Sequence, residues 1–356
     1  MRMTVLASGS KGNSAVIASS KTRILVDAGL SCRELMRRMA AAGEDAEQLD
    51  AILITHEHAD HVSGLPVLAR KLNIPVYFTE ATHRAWVRQM TPRTNLSYKQ
   101  WLEQTRREKQ DRLEAQALAH QIATGTREDE PAENFFAEDI DVDAAAAPAP
   151  SSTPATMPTP AGELLAAATE DICDDVEPGA RQSIRENPTF LPAVEHFRAG
   201  RHLCVGDIDI LPFTIPHDAA DPCGFVFSAE GLRFGYATDL GYVPENVKQA
   251  LRNCDVLLIE SNHDLEMLRD GPYPWSVKQR VLSRVGHLSN AAAAEFLTRD
   301  YDGGARYVVL AHLSESNNVP ELARLAAERA IGDRLSLLGN RIVLAPQDVP
   351  MESICL

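Results

Sequence analysis

Apolar residues gather in short runs separated by polar and glycine-containing stretches, which is the spacing of strands rather than of long helices. Thr4-Val5-Leu6-Ala7, Ala15-Val16-Ile17-Ala18, Arg23-Ile24-Leu25-Val26, Ala51-Ile52-Leu53-Ile54 and Pro75-Val76-Tyr77-Phe78-Thr79 are five such runs. Between and after them the pattern predicts helices near residues 33–42 and from residue 80 to 88. The alternation stops near residue 93 and resumes near 186. There Asp207-Ile208-Asp209-Ile210 alternates, Gly224-Phe225-Val226-Phe227 predicts a buried strand, and a further run at 232–237 follows a Glu230-Gly231 turn. Runs at 255–260 and 306–311 predict two more core strands, separated by a helix at 290–298. Strands mixed with helices on both sides of an interruption indicate a layered α/β fold whose second half resembles another half-sheet.

The interruption changes the reading of composition and charge. A chain of 356 residues, 44% hydrophobic and 24% charged, is neither collagen-like nor coiled-coil nor wholly disordered. Its net charge of −15 speaks against a nucleic-acid partner until it is located: residues 127–178 hold fourteen Asp and Glu against one Arg, so the remainder sums to only −2. A nearly neutral body leaves room for a basic cleft. Residues 93–126 have the composition of a charged, solvated helix or a lid, and 127–178 that of an acidic, Ala/Pro-rich disordered linker, a mimic of a nucleic-acid backbone or an arm for a basic partner. The expected organisation is one domain, 1–93 and 186–356, carrying an insertion at 94–185. Six cysteines (Cys32, Cys173, Cys204, Cys223, Cys254, Cys355) form no C-x-x-C pair, which excludes a zinc ribbon and a disulfide scaffold. No apolar run is long enough to span a membrane, the start is too short in apolar residues for a signal peptide, and Cys355 lacks the spacing for prenylation. A cytoplasmic location is expected; the oligomeric state is left open.

The concentrated chemistry is Thr55-His56-Glu57-His58-Ala59-Asp60-His61, directly after an apolar run. Imidazole nitrogen and carboxylate oxygen suit zinc, manganese or iron. A loop at a strand end can turn His56 and His58 toward one ion and Asp60 and His61 toward another, given a bridging anion. Elsewhere, Ser8-Gly9-Ser10-Lys11-Gly12-Asn13-Ser14 is either a hairpin turn or a turn whose N–H groups approach an anion. Tyr273 and Trp275, between and after prolines, either pack their loop or stack on a nucleobase. Lys11, Arg33, Lys278 and Arg280 are candidate phosphate contacts or ordinary surface charge.

H-x-H-x-D-H is the signature of the metallo-β-lactamase superfamily, which the surroundings also resemble: Ile24-Leu25-Val26-Asp27-Ala28-Gly29 is similar to that family's strand ending in Asp-x-Gly. The resemblance implies a four-layer αββα sandwich with a long insertion. It implies three further ligands, His217 in Pro216-His217-Asp218, a bridging Asp239 in Thr238-Asp239-Leu240-Gly241, and His312 in Ala311-His312-Leu313-Ser314. Taken singly, His217 also reads as a capping or surface residue, Asp239 as an N-cap and His312 as a core residue. With His56, His58, Asp60 and His61 they make seven ligands for two divalent ions (Zn, Mn or Fe). Asp27 then orients a ligand His. Glu260 and His287 resemble the Glu and His pair of ribonuclease Z-type phosphodiesterases, with Asp60, Glu260 and His287 serving catalysis; His287 also reads as a residue of a helix N-cap region. The role of His263 is open.

Narrower strings, Ser8 to Ser14, Glu260-Ser261-Asn262-His263-Asp264, Gly271-Pro272-Tyr273-Pro274-Trp275-Ser276 and His312-Leu313-Ser314-Glu315-Ser316-Asn317-Asn318, resemble the YycJ (WalJ) branch. That resemblance implies a DNA substrate, digested from the 5′ end through attack on phosphorus by a hydroxide bridging the two ions, with His287 protonating the leaving oxygen. A rival reading is hydrolysis of a small phosphodiester, lactone or thioester on the same scaffold. Another is a metal-stabilised regulatory or scaffold protein with the insertion as its interaction arm.

Overall fold

The apolar runs become strands buried on both faces, which is why they read as continuous rather than alternating. The computed structural model describes residues 1–91, 187–332 and 339–356. The expected insertion at 94–185 lies outside them. In the first sheet, β1 (Arg2–Ala7), β2 (Ser14–Ala18), β3 (Arg23–Val26), β4 (Ala51–Leu53), β5 (Pro75–Thr79), β6 (Ala193–Phe197) and β14 (Ile354–Cys355) lie in the order β14-β1-β2-β3-β4-β5-β6. The second sheet contains β7 (Leu203–Val205), β8 (Ile208–Thr214), β9 (Cys223–Ala229), β10 (Leu232–Ala237), β11 (Val256–Glu260), β12 (Tyr307–Ala311) and β13 (Arg341–Leu344), ordered β13-β12-β11-β10-β9-β8-β7.

Three apolar layers separate the sheets and helices. Leu25, Ile52 and Phe78 pack outward against Leu35 and Met39 of α1 (Cys32–Ala41), Leu65 and Leu68 of α2 (Leu65–Leu72) and Trp86 of α3 (Glu80–Met90). Met3, Ile17, Ile24 and Leu53 face Phe225, Phe227, Phe234 and Leu258 across the middle. Leu257, Ile259, Val308 and Leu310 meet Phe296 and Leu297 of α4 (Asn290–Arg299) and Ala323 and Ala327 of α5 (Pro320–Ile331). Two mixed sheets with helices outside both make the expected α/β sandwich.

The two sheets share one plan. Each runs through three antiparallel pairings and then three parallel ones, and the fourth strand of each, β3 and β10, leads into an Asp-x-Gly turn. Both aspartates, Asp27 and Asp239, hold φ 60°, a left-handed conformation that most non-glycine residues avoid. Where the sequence predicts a strand at 207–210, β8 continues to Thr214 through Pro212. The edge strand β7 pairs only with Ile208–Ile210, so Pro212 lies beyond its end, where a missing N–H is tolerated.

Candidate metal centre

The carboxyl ends of β3, β4, β10, β11 and β12 deliver the chemistry to one rim. Past β4, Thr55 to His61 forms a tight loop that the β1–β2 connection holds from the other side. Asn13 N–H donates to Asp60 O at 2.7 Å, Gly29 N–H donates to Asn13 O at 3.0 Å, and Ala28 N–H donates to His61 O at 2.8 Å. A Cβ on Gly29 would lie 1.7 Å from Asp60 O, so only glycine permits this approach. Ser14 Oγ donates to Asp27 O, and Ser8 Oγ accepts from His312 N–H at 2.7 Å. The loop read as a hairpin turn or an anion turn connects the antiparallel strands β1 and β2, and its polar groups fasten two ligand-bearing segments and the Asp27 turn together.

His56, His58, Asp60, His61, His217, Asp239 and His312, separated by up to 256 positions in sequence, come together in overlapping groups whose candidate ligand atoms lie within 4.8 Å of one another. One group is His56, His58 and His217; another is Asp60, His61 and His312; Asp239 joins His56 and His61 in a third and Glu260, His287 and His312 in a fourth. Asp239 thus belongs to both sides of the cluster, with Oδ2 3.4 Å from His61 Nε2 and Oδ1 3.4 Å from His312 Nε2.

Each imidazole spends one nitrogen on the protein and turns the other inward. His61 Nδ1 donates to Asp27 Oδ2 at 2.8 Å, and His217 Nδ1 donates to Gly286 O at 3.2 Å. Thr55 Oγ1 lies 3.0 Å from His56 Nδ1, and Glu260 Oε1 lies 2.9 Å from His312 Nδ1. The Nε2 atoms of His56, His61, His217 and His312 are left for the cluster. His58 differs, presenting Nδ1 3.3 Å from His217 Nε2. His56 Nε2, His312 Nε2 and Asp239 Oδ2 are buried without a hydrogen-bond partner among the described residues. Buried polar atoms in that state are costly, and a cation satisfies two imidazole lone pairs and a carboxylate oxygen together. The donor set of imidazoles and carboxylates therefore fits divalent zinc, manganese or iron.

Electrostatics follow from the crowding. Burial and the neighbouring imidazoles His61 and His58 hold His56 well below its ordinary pKa, so its lone pair is free at neutral pH. Burial opposes charge on His61, yet Asp27, Asp239 and Asp60 outweigh it and push its pKa up to about 9. Burial also disfavours charge on Glu260, but His287 and His312 hold it well below the carboxylate range.

Glu260 is the hub of the opposite wall. Oε1 accepts from His287 Nδ1 at 2.8 Å as well as from His312, while Oε2 accepts the Leu240 and Leu288 N–H groups at 2.8 and 3.1 Å. His287 is not the N-cap of α4; Ser289 is, accepting from Ala292 N–H. His263 is buried, bonded through Nδ1 to Asn262 Oδ1, and belongs to none of the four groups. Of the basic candidates, Lys278 is folded inward onto Arg269 O, Arg280 pairs with Asp218 at 2.5 Å, and Lys11 pairs with Glu315. Sequence reasoning missed Asn13, whose Nδ2 touches Asp60 Oδ2 and His61 Nε2, and Thr55, whose N–H and Oγ1 both bond Asp27. Asn262 also supports the site, its Nδ2 donating to His312 O. Thr55 stood beside the motif, but no spacing rule marks Asn13.

The model of the metallo-beta-lactamase superfamily matches residues 7–272. Exodeoxyribonuclease WalJ of Streptococcus pneumoniae serotype 2 (strain D39 / NCTC 7466) is 30% identical over 329 residues, covering 91% of this chain and 86% of that protein. Exodeoxyribonuclease YycJ of Bacillus anthracis is 29% identical over 351 residues, 99% of this chain and 97% of that one. Among solved structures, the metallo-beta-lactamase fold protein YhfI from Bacillus subtilis superposes over 98% of both chains with a TM-score of 0.53 at 14% identity, a likeness of fold alone.

Proposed function

Since the chain belongs to the metallo-β-lactamase superfamily, in its YycJ/WalJ-like branch, and is a metal-dependent hydrolase, we propose that it is a DNA exonuclease working from the 5′ end with two divalent ions. The observation that carries the reading is the convergence of seven imidazole and carboxylate side chains, three of them with buried, unpartnered ligand atoms. The likeness of nearly the whole chain to two exodeoxyribonucleases favours DNA over a small ester.

In this reading His56, His58 and His217 would hold one ion and Asp60, His61 and His312 the other, with Asp239, which belongs to groups on both sides, available to either. A bound divalent pair supplies Lewis acidity toward a phosphate and makes an oxygen nucleophile available near neutral pH. The chain's own residues do the rest. Asp27 and Thr55 fix the ring of His61, and Asn13 restrains the Asp60 carboxylate. Glu260 accepts the Nδ1 proton of His287 and leaves Nε2 as the nitrogen that carries a proton to the departing sugar oxygen. Because Glu260 bonds His312 through the same oxygen, the acid and a metal ligand are positioned by one carboxylate.

The test is digestion of 5′- and 3′-labelled DNA by protein reconstituted with Zn, Mn or Fe. Asp60→Ala and His217→Ala are expected to abolish turnover, and mononucleotides should appear first from the 5′ label. Release first from the 3′ label contradicts the polarity, and turnover that survives both substitutions contradicts the site.

A further inference from the structure

Bonded to the site is a segment that hydrolysis leaves unexplained: a short helix, Trp275–Val281, and the turn that returns to His287. Its far end is bonded to the centre. His287 N–H donates to Val281 O at 3.0 Å, Asp218 N–H to Val285 O at 3.1 Å, and Gly286 O receives His217 Nδ1. Its outer surface carries three large apolar side chains. Trp275 is 66% exposed, Leu282 50% and Val285 43%, and Trp275 and Leu282, seven residues apart, share a helical side.

The three cations of this segment are engaged elsewhere. Lys278, between the two in sequence, is buried with Nζ on Arg269 O, the Arg280 guanidinium is tied to Asp218, and the Arg284 guanidinium lies 4.4 Å over the Tyr242 ring. Trp275 is fixed from its start, since Pro272 and Pro274 stiffen the approach and Pro274 is the N-cap. A contiguous exposed apolar strip that ends beside a catalytic cluster marks a binding surface. Its occupant must offer flat apolar faces and reach the centre, and the unstacked bases of a single strand do both.

We propose that Trp275 is a base-stacking residue, and that the strip from Trp275 through Leu282 to Val285 guides the single-stranded part of a DNA substrate toward His287. The inference rests on the DNA reading above and adds what grips the strand.

Steady-state digestion of labelled single-stranded DNA by wild type, Trp275→Ala and Trp275→Phe tests it, with bis(p-nitrophenyl) phosphate as a substrate too small to reach the strip. The expected result is a KM for DNA raised about tenfold in Trp275→Ala and restored in Trp275→Phe, with small-ester turnover within about twofold in all three. A DNA KM unchanged in Trp275→Ala, in protein that digests DNA, overturns the proposal and leaves the strip to a protein partner. An equal loss on both substrates makes Trp275 a structural residue and also overturns it. If wild type cleaves the ester but no DNA, the DNA reading itself fails and this inference with it.

Discussion

At the scale of single residues, the site is a set of decisions about which nitrogen of each imidazole faces inward. Asp27 makes the decision for His61 while also binding Thr55 N–H and Oγ1. Asp27→Ala should therefore weaken metal affinity by about 10–100-fold, read by competition with a chromogenic chelator; an unchanged affinity contradicts the orienting role. Protons are also in play. In the metal-free protein burial disfavours charge on both rings, but Asp27, Asp239 and Asp60 push His61 up to about 9, and Asp239, Asp60 and Glu260 raise His312 well above its ordinary value, so both favour the protonated form. A cation must displace those protons. Metal uptake should release protons at pH 7 and tighten as pH rises toward about 9, seen as calorimetric heats that depend on buffer ionisation enthalpy; buffer-independent heats contradict this. His56, His58, Asp60 and His61 were legible because four candidate ligands stand in six positions. His217, Asp239 and His312 were legible only through their order and a family resemblance. The left-handed backbone at Asp27, Asp239 and His312 was not legible at all, since nothing local in an aspartate or histidine announces φ near 60°.

Elements show why some of the fold escaped the sequence. Strands buried on both faces, such as β2 and β11, announce themselves as apolar runs. The edge strand β6, Ala-Val-Glu-His-Phe, is mostly exposed and carries no such signal, and β14 has only two residues. Their places are set by pairing with β5 and β1 rather than by their own composition. Between β3 and α1 the chain needs glycine: Gly29→Ala should cost about 1–3 kcal/mol and loosen the Asp60 loop, measured as a lower Tm together with weaker metal retention. A Tm equal to wild type would mean that the loop yields freely. On α1, Arg37 and then Arg38 hold Glu34 down to about 2 against partial burial. Its contribution is present above the ordinary carboxylate value of 4.5 and is lost as pH falls toward about 2. Glu34→Gln should lower Tm at pH 7 and lose that effect near pH 2, and an effect that persists in acid contradicts the pairing.

The described residues form two sheets of one plan, each with three antiparallel pairings followed by three parallel ones, facing each other across an apolar layer. That plan places Asp27 and Asp239 at equivalent strand ends, one supporting a histidine and the other inside the ligand cluster. Most of the negative charge lies elsewhere, at 127–178, leaving the remaining chain nearly neutral and compatible with a polyanionic substrate. From composition, we propose that 94–185 is an insertion in a single domain, and limited proteolysis should cut first between 127 and 178. First cleavage near Asp239 contradicts that division. Among the described residues, no helix is long and apolar enough to cross a membrane. The central claim is that seven side chains from both sheets hold two cations, and an anomalous-difference map from crystals of the full chain grown with zinc addresses it most directly. Two peaks about 3.5–4 Å apart, one beside His56, His58 and His217 and the other beside Asp60, His61 and His312, are predicted; a single peak, or none within the cluster, contradicts the account.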